Sequence, residues 1–155
     1  MKKFIALLVL SMASAFAAEV QIMDEALPMM TTFNSTVDAR LQVDKTTGQG
    51  SVAVTVTEQR WTDMGTMCDQ WGRCYPNRVN MPYIVFSKSV DVEGLALHGD
   101  QVIYAGEAGD VNCGRLGESS VLRRPTIFLT GKCKLAGKIT GNWSDARVNV
   151  KMTTK

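Results

Sequence analysis

The chain has 155 residues, 45% of them hydrophobic and 21% charged, with 17 basic against 15 acidic side chains. Lys2 and Lys3 account for the whole positive excess, so residues 18–155 carry no net formal charge. That excludes the basic surplus a general nucleic-acid binder needs to neutralise phosphates. The stretch 18–155 is of a size that fits one domain with a core of its own.

In chain order, Lys2 and Lys3 precede an apolar run over residues 4–10 and small residues ending Ala15-Phe16-Ala17. This is the pattern of a cleaved secretory signal, with an apolar stretch too short to span a bilayer. It predicts removal of residues 1–17 and one exported domain over 18–155, periplasmic or extracellular and bacterial in style. No second apolar stretch is long enough for a transmembrane helix. Residues 24–30 offer a short helical option, but Pro28 interrupts it, so the segment reads as a loop or a single turn.

Strand patterns then dominate. Val37, Ala39, Leu41 and Val43 alternate with polar neighbours, residues 45–50 carry turn chemistry, and Val52, Val54 and Val56 resume the alternation. This predicts a hairpin of β-branched, half-buried strands. Tyr83-Ile84-Val85-Phe86 opens a strand running on to Val92, and its unbroken apolar start predicts burial on both faces. Leu95 and Leu97, the turn Gly99-Asp100, and Val102-Ile103-Tyr104 form the next hairpin. Gly106 and Gly109 bracket another turn before Val111-Asn112-Cys113. Thr126-Ile127-Phe128-Leu129 reads as a strand, and residues 135–139 pair with 146–152 across the turn at Gly141-Asn142 and Ser144-Asp145. Strands at this spacing with turns between them predict an all-β fold, a single-domain antiparallel β-sandwich or barrel of about 7–9 strands.

The four cysteines become disulfide candidates in an oxidising compartment. Of the three connectivities, we favour Cys68–Cys74, which encloses a short turn containing Gly72, and Cys113–Cys133, joining two strands set side by side in one sheet. Zinc is disfavoured because Cys113 and Cys133 lack neighbours at ligand spacing and His98 is the only histidine.

Residues 61–82 are the least ordinary part of the chain. They read as a long stapled loop without strand alternation, and long connections of this kind are usually functional. Trp71, Arg73 and Tyr75, with Trp61 at the start, have the composition of a binding hot spot, and the staple would lower the ordering cost on binding. The other reading is structural: Trp61, Trp71 and the methionines plug an open end of the barrel. A third uses thioether chemistry, with Met64, Met67 and Met81 in the loop and Met23, Met29 and Met30 upstream as soft ligands for Cu(I) in an exported protein. Their irregular spacing is more typical of gap filling.

Nothing points to catalysis. His98 sits at a hairpin turn, and oxidised cysteines offer no thiolate. Asp63 and Asp69 could be paired as glycosidase carboxylates only by sequence proximity. The glycines at 114 and 117 lack the Lys and Ser/Thr of a phosphate loop. No cofactor is expected. Charge divides unevenly along the chain, 6 basic and 13 acidic residues over 18–110 against 9 and 2 over 111–155. Either strands from the two regions interleave and neutralise one another, or Arg115, Arg123, Arg124, Lys132, Lys134 and Lys138 make a basic face for an anionic surface. Residues 94–104, followed by Val111-Asn112-Cys113, resemble small exported β-proteins in general, and that resemblance implies no activity. The reading is therefore a non-catalytic binding protein whose partner is a protein, a glycan or an envelope component. A small secreted hydrolase and a copper carrier are the alternatives.

Overall fold

The computed structural model describes residues 18–28, 34–44, 46–116, 132–142 and 144–155. Residues 1–17, the strand expected at 126–129, and Arg123, Arg124, Met29 and Met30 lie outside the described residues. Eight strands are described: β1 (Ala18–Ala26), β2 (Ser35–Val43), β3 (Gln49–Cys68), β4 (Cys74–His98), β5 (Gln101–Gly106), β6 (Gly109–Arg115), β7 (Cys133–Thr140) and β8 (Arg147–Thr154). All pair antiparallel, in a three-stranded sheet of order β1-β8-β7 and a five-stranded sheet of order β2-β3-β4-β5-β6. Of the two architectures expected, the sandwich is the one observed. No helix among the described residues is long and apolar enough to cross a membrane.

The core lies between the sheets because alternation puts one apolar set from each on the inside. Met23, Val148, Val150 and Met152 from the small sheet meet Leu41, Val43, Val52, Val54, Val56, Leu95 and Val102 from the large one. Burying each such side chain contributes about 1.5–3 kcal/mol. The predicted hairpins β2–β3, β4–β5, β5–β6 and β7–β8 all form. In the first turn, the Asp44 carboxylate accepts N–H groups from Thr46 and Thr47. The Thr46 bond above all holds its pKa below the ordinary carboxylate value.

Three expectations need correction. Residues 24–26 belong to β1 rather than to a loop or turn. The register of β1 against β8 shifts between Gln21 and Met23, so the apolar set Val20, Ile22, Met23 breaks phase at a bulge and hides the strand. Ile84 is 69% exposed, so β4 is not buried on both faces where it begins its apolar run. Finally, both expected disulfides form, but Cys113–Cys133 does not join neighbours within a sheet. It links β6 and β7, edge strands of different sheets, and Lys132 N–H donates to the Asn112 carbonyl at 3.2 Å beside it. The bond thus clamps the two layers at one edge. Two disulfides fit an oxidising environment.

Part of the charge asymmetry is offset by cross-links between the two regions. Arg147 pairs with Asp24 at 2.9 Å, Arg115 with Asp100 at 3.6 Å, and Lys151 with Glu19. Each basic partner comes from 111–155 and each acidic one from 18–110. These pairs are solvent-exposed and contribute about 0–1 kcal/mol each; their effect is to level the surface charge.

Candidate functional site

The segment expected to be a stapled loop is a β-hairpin arm. β3 and β4 stay paired from the sandwich out to a last rung at Cys68/Cys74, whereas β2 leaves β3 at Glu58 and β5 reaches β4 only at Leu95–His98. From the Glu58/Tyr83 rung to the cysteines the arm extends about 30 Å, at a rise of roughly 3.3 Å per residue.

Its two faces follow from the core. Val52, Val54, Val56 and Glu58 are buried in alternation, so Arg60 and Thr62 continue the inner face while Trp61 and Asp63 turn outward. At the root, Arg60 pairs with the buried Glu58 at 2.7 Å and stacks over Tyr83, its guanidinium carbon 5.7 Å from the ring centroid. The Tyr83 hydroxyl lies 3.0 Å from the Thr62 hydroxyl. On β4 the same inner face carries Tyr83, Met81, Val79 and Tyr75, with Met67 opposite Tyr75. All five are exposed, because the smaller sheet does not extend over them. Outward, Trp61 sits opposite Asn80, and Pro82 and Ile84 occupy the next rungs toward the sandwich. A bulge between Asp63 and Thr66 sets Met64 and Gly65 against Asn77, with Gly65 N–H bonded to the Asp63 carboxylate.

At the end of the arm, one carboxylate organises five residues. Asp69 Oδ1 accepts the N–H groups of Trp71 (3.0 Å) and Arg73 (2.9 Å), and Oδ2 pairs with Arg73 Nε at 2.9 Å. Asp69 N–H donates to the Arg73 carbonyl, and Gly72 N–H to the Asp69 carbonyl. Gly72 takes φ +77°, a conformation that side chains disfavour. Arg73, fixed by Asp69, lies over the Trp71 ring with its guanidinium carbon 5.3 Å from the centroid. Trp71 is nonetheless 70% exposed. The turn is therefore pre-ordered around a presented indole.

The β4 edge of the arm is poorly suited to pairing with an added strand. The Asp69–Arg73 hydrogen bond makes Cys68/Cys74 a non-hydrogen-bonded rung. Counting by twos along β4, Pro76 and Pro82 then turn their nitrogens to the outer edge, where proline cannot donate to an added strand.

Of the predicted site residues, the structure brings Trp71 and Arg73 together and places Tyr75 next to them on the inner face. Trp61 belongs to the outer face near the root, also 70% exposed, about 20 Å from the Cys74 rung. Neither tryptophan plugs the sandwich; the core closes without them. Met67 and Met81 stand about 20 Å apart along the strand, too far to share one ion, and Met23 is in the core. His98 is exposed beside the β4–β5 turn. Asp63 and Asp69 are engaged with backbone amides at different levels of the arm.

Sequence reasoning missed Asp69 as the organiser of the turn, although an Asp three residues before a glycine inside a cysteine staple is a turn signature. It also missed the inner stripe, although Tyr75, Val79, Met81, Tyr83 and Val85 fall on one alternation.

Elsewhere, an open groove of about 720 Å³ lies between β1 and the β4–β5 region, its described lining including Ile22, Asp91, Glu93, Tyr104 and Glu107. That lining contains no histidine, serine, threonine or cysteine. Among the described residues, no three His, Cys, Asp or Glu side chains are grouped to hold a metal ion. Comparison with known proteins finds no matching family model, no matching curated protein and no matching solved structure.

Proposed function

We propose that the protein is exported and acts as a non-catalytic binding protein at the cell envelope, in the periplasm or outside the cell, through the end of its β-hairpin arm. The positive, apolar and Ala-x-Ala sequence of residues 1–17 supports export. The observation that carries the binding reading is Trp71, largely exposed at the far end of a projecting hairpin yet fixed by the Asp69–Arg73 pair. Tryptophan and arginine are both enriched at binding hot spots. Because the turn is already ordered, little conformational entropy is lost when it engages a partner.

The test is capture from envelope extract. Trp71→Ala is expected to leave folding and the melting transition intact and to abolish capture. Unchanged capture by the variant would refute the reading.

A further inference from the structure

Resting on that binding reading, we infer that the partner of the arm is the lipid–water interface of a bilayer, into which the tip inserts. Three observations at the tip favour lipid over a protein pocket or a glycan.

Apolar groups surround the tip instead of forming a one-sided patch. Met67 and Tyr75 lie on the inner face and the Cys68–Cys74 rung and Pro76 on the outer, Met64 sits at the bulge, and Trp71 caps the end. A protein partner covers one face, whereas a lipid phase contacts every side. Exposed apolar surface concentrated at a projection is otherwise costly.

The tip also carries no uncompensated charge. Between Met64 and Asn77 the ionisable side chains of unlike sign are Asp69 and Arg73, and these pair with each other at 2.9 Å. The next charges, Asp63 and Arg78, face each other as rung partners about 13 Å back from the Cys74 rung. Interfacial segments bury roughly 5–10 Å into the headgroup and acyl boundary, so the net-neutral cap, its Asp69–Arg73 pair kept at the polar headgroup level, is deep enough and the Asp63/Arg78 rung stays in water.

Finally, the turn is largely prepared for partial dehydration. The amides of Asp69, Trp71, Gly72 and Arg73 donate within the turn, which leaves the Gln70 amide and the outward groups of the Cys68/Cys74 rung to the hydrated headgroup layer. Unsatisfied backbone groups are what exclude irregular chain from lipid. Tryptophan and tyrosine are the side chains that prefer the headgroup level, having an apolar body and a polar edge.

The experiment uses the oxidised, exported protein and protein-free vesicles, one set of phosphatidylcholine alone and one containing phosphatidylglycerol. In a Trp61→Phe/Trp143→Phe background, Trp71 is the sole indole and its emission reports depth. The expected result is co-sedimentation with both vesicle types, insensitive to raised salt, with a blue shift of Trp71 and quenching by lipids brominated near the headgroup. Trp71→Ala and Met67→Lys should each weaken partitioning by about ten-fold or more, whereas Met67→Leu should not, since lipid does not read side-chain shape. These substitutions are on the solvent-exposed arm, and an unchanged melting transition establishes that the variants fold.

Binding confined to anionic vesicles and lost in salt would overturn the inference in favour of a basic surface. No vesicle binding, with Trp71-dependent capture of an envelope component in detergent retained, would overturn the lipid assignment and leave the binding reading standing. Absence of both would remove both.

Discussion

Strands β3 and β4 each pass through two environments, and the same ladder behaves differently in each. Near Val52–Val56 one face is sealed by the smaller sheet and every second residue is buried. Beyond Glu58 the ladder continues with the same pairing, but tyrosines, methionines and a tryptophan stand in solvent. Hydrogen bonding holds both parts together. Only the first gains stability from burial; the second leaves its aromatic and apolar side chains exposed. Burial and exposed apolar surface are thereby separated along one hairpin, with the Glu58–Arg60 pair at the boundary.

Substitutions on either side of that boundary test the separation. Leu41→Ala, in the sealed part, should lower unfolding free energy by about 2–5 kcal/mol in chemical denaturation, as for other fully buried leucines. Replacing Cys113 and Cys133 with serine should cost about 2–5 kcal/mol because the bond clamps the two sheets. The same change at Cys68 and Cys74 should leave the main unfolding transition nearly in place and instead raise hydrogen exchange at the Trp71 and Arg73 amides. Equal effects of the two pairs on global unfolding would contradict the comparison.

Gly94→Ala should cost about 1–3 kcal/mol, since Gly94 has φ +81° and an added Cβ would stand 2.7 Å from the Ala105 carbonyl oxygen. Trp71→Ala should change stability by about 0.5 kcal/mol or less, and a loss comparable to that of Leu41→Ala would mean that the arm packs onto the core. The smallest effect is at Asp44. Its folded pKa is depressed by the Thr46 and Thr47 amides, so its contribution is present above the unfolded value and fades as pH falls through the folded one. Asp44→Asn should therefore lower stability slightly at neutral pH, with the difference from the wild type vanishing as pH falls below about 4, so the acid limb of the stability profile flattens.

Legibility in the sequence divides at the same boundary. The β2–β3 and β7–β8 hairpins are legible because half-burial imposes alternation on Leu41, Val43, Val52 and Val54, and on Val148, Val150 and Met152. The arm reads as a loop because neither of its faces is fully covered, so Trp61, Pro82 and Ile84 interrupt the polar phase without penalty. Trp71, Arg73 and Tyr75 stand out by composition and by the cysteine spacing. That Trp61 belongs to another face and that Asp69 orders the turn emerges only from the register.

An all-β chain, its tight turns and the local Cys68–Cys74 closure are written in the residues alone, because these depend on period-two patterning, turn chemistry and short-range closure. The packing of the two sheets settles the rest: where the smaller sheet ends, that Cys113–Cys133 crosses between sheets, and that Trp71 faces solvent. Burial depends on what covers a face, and the covering strands β1, β7 and β8 come from the two ends of the chain.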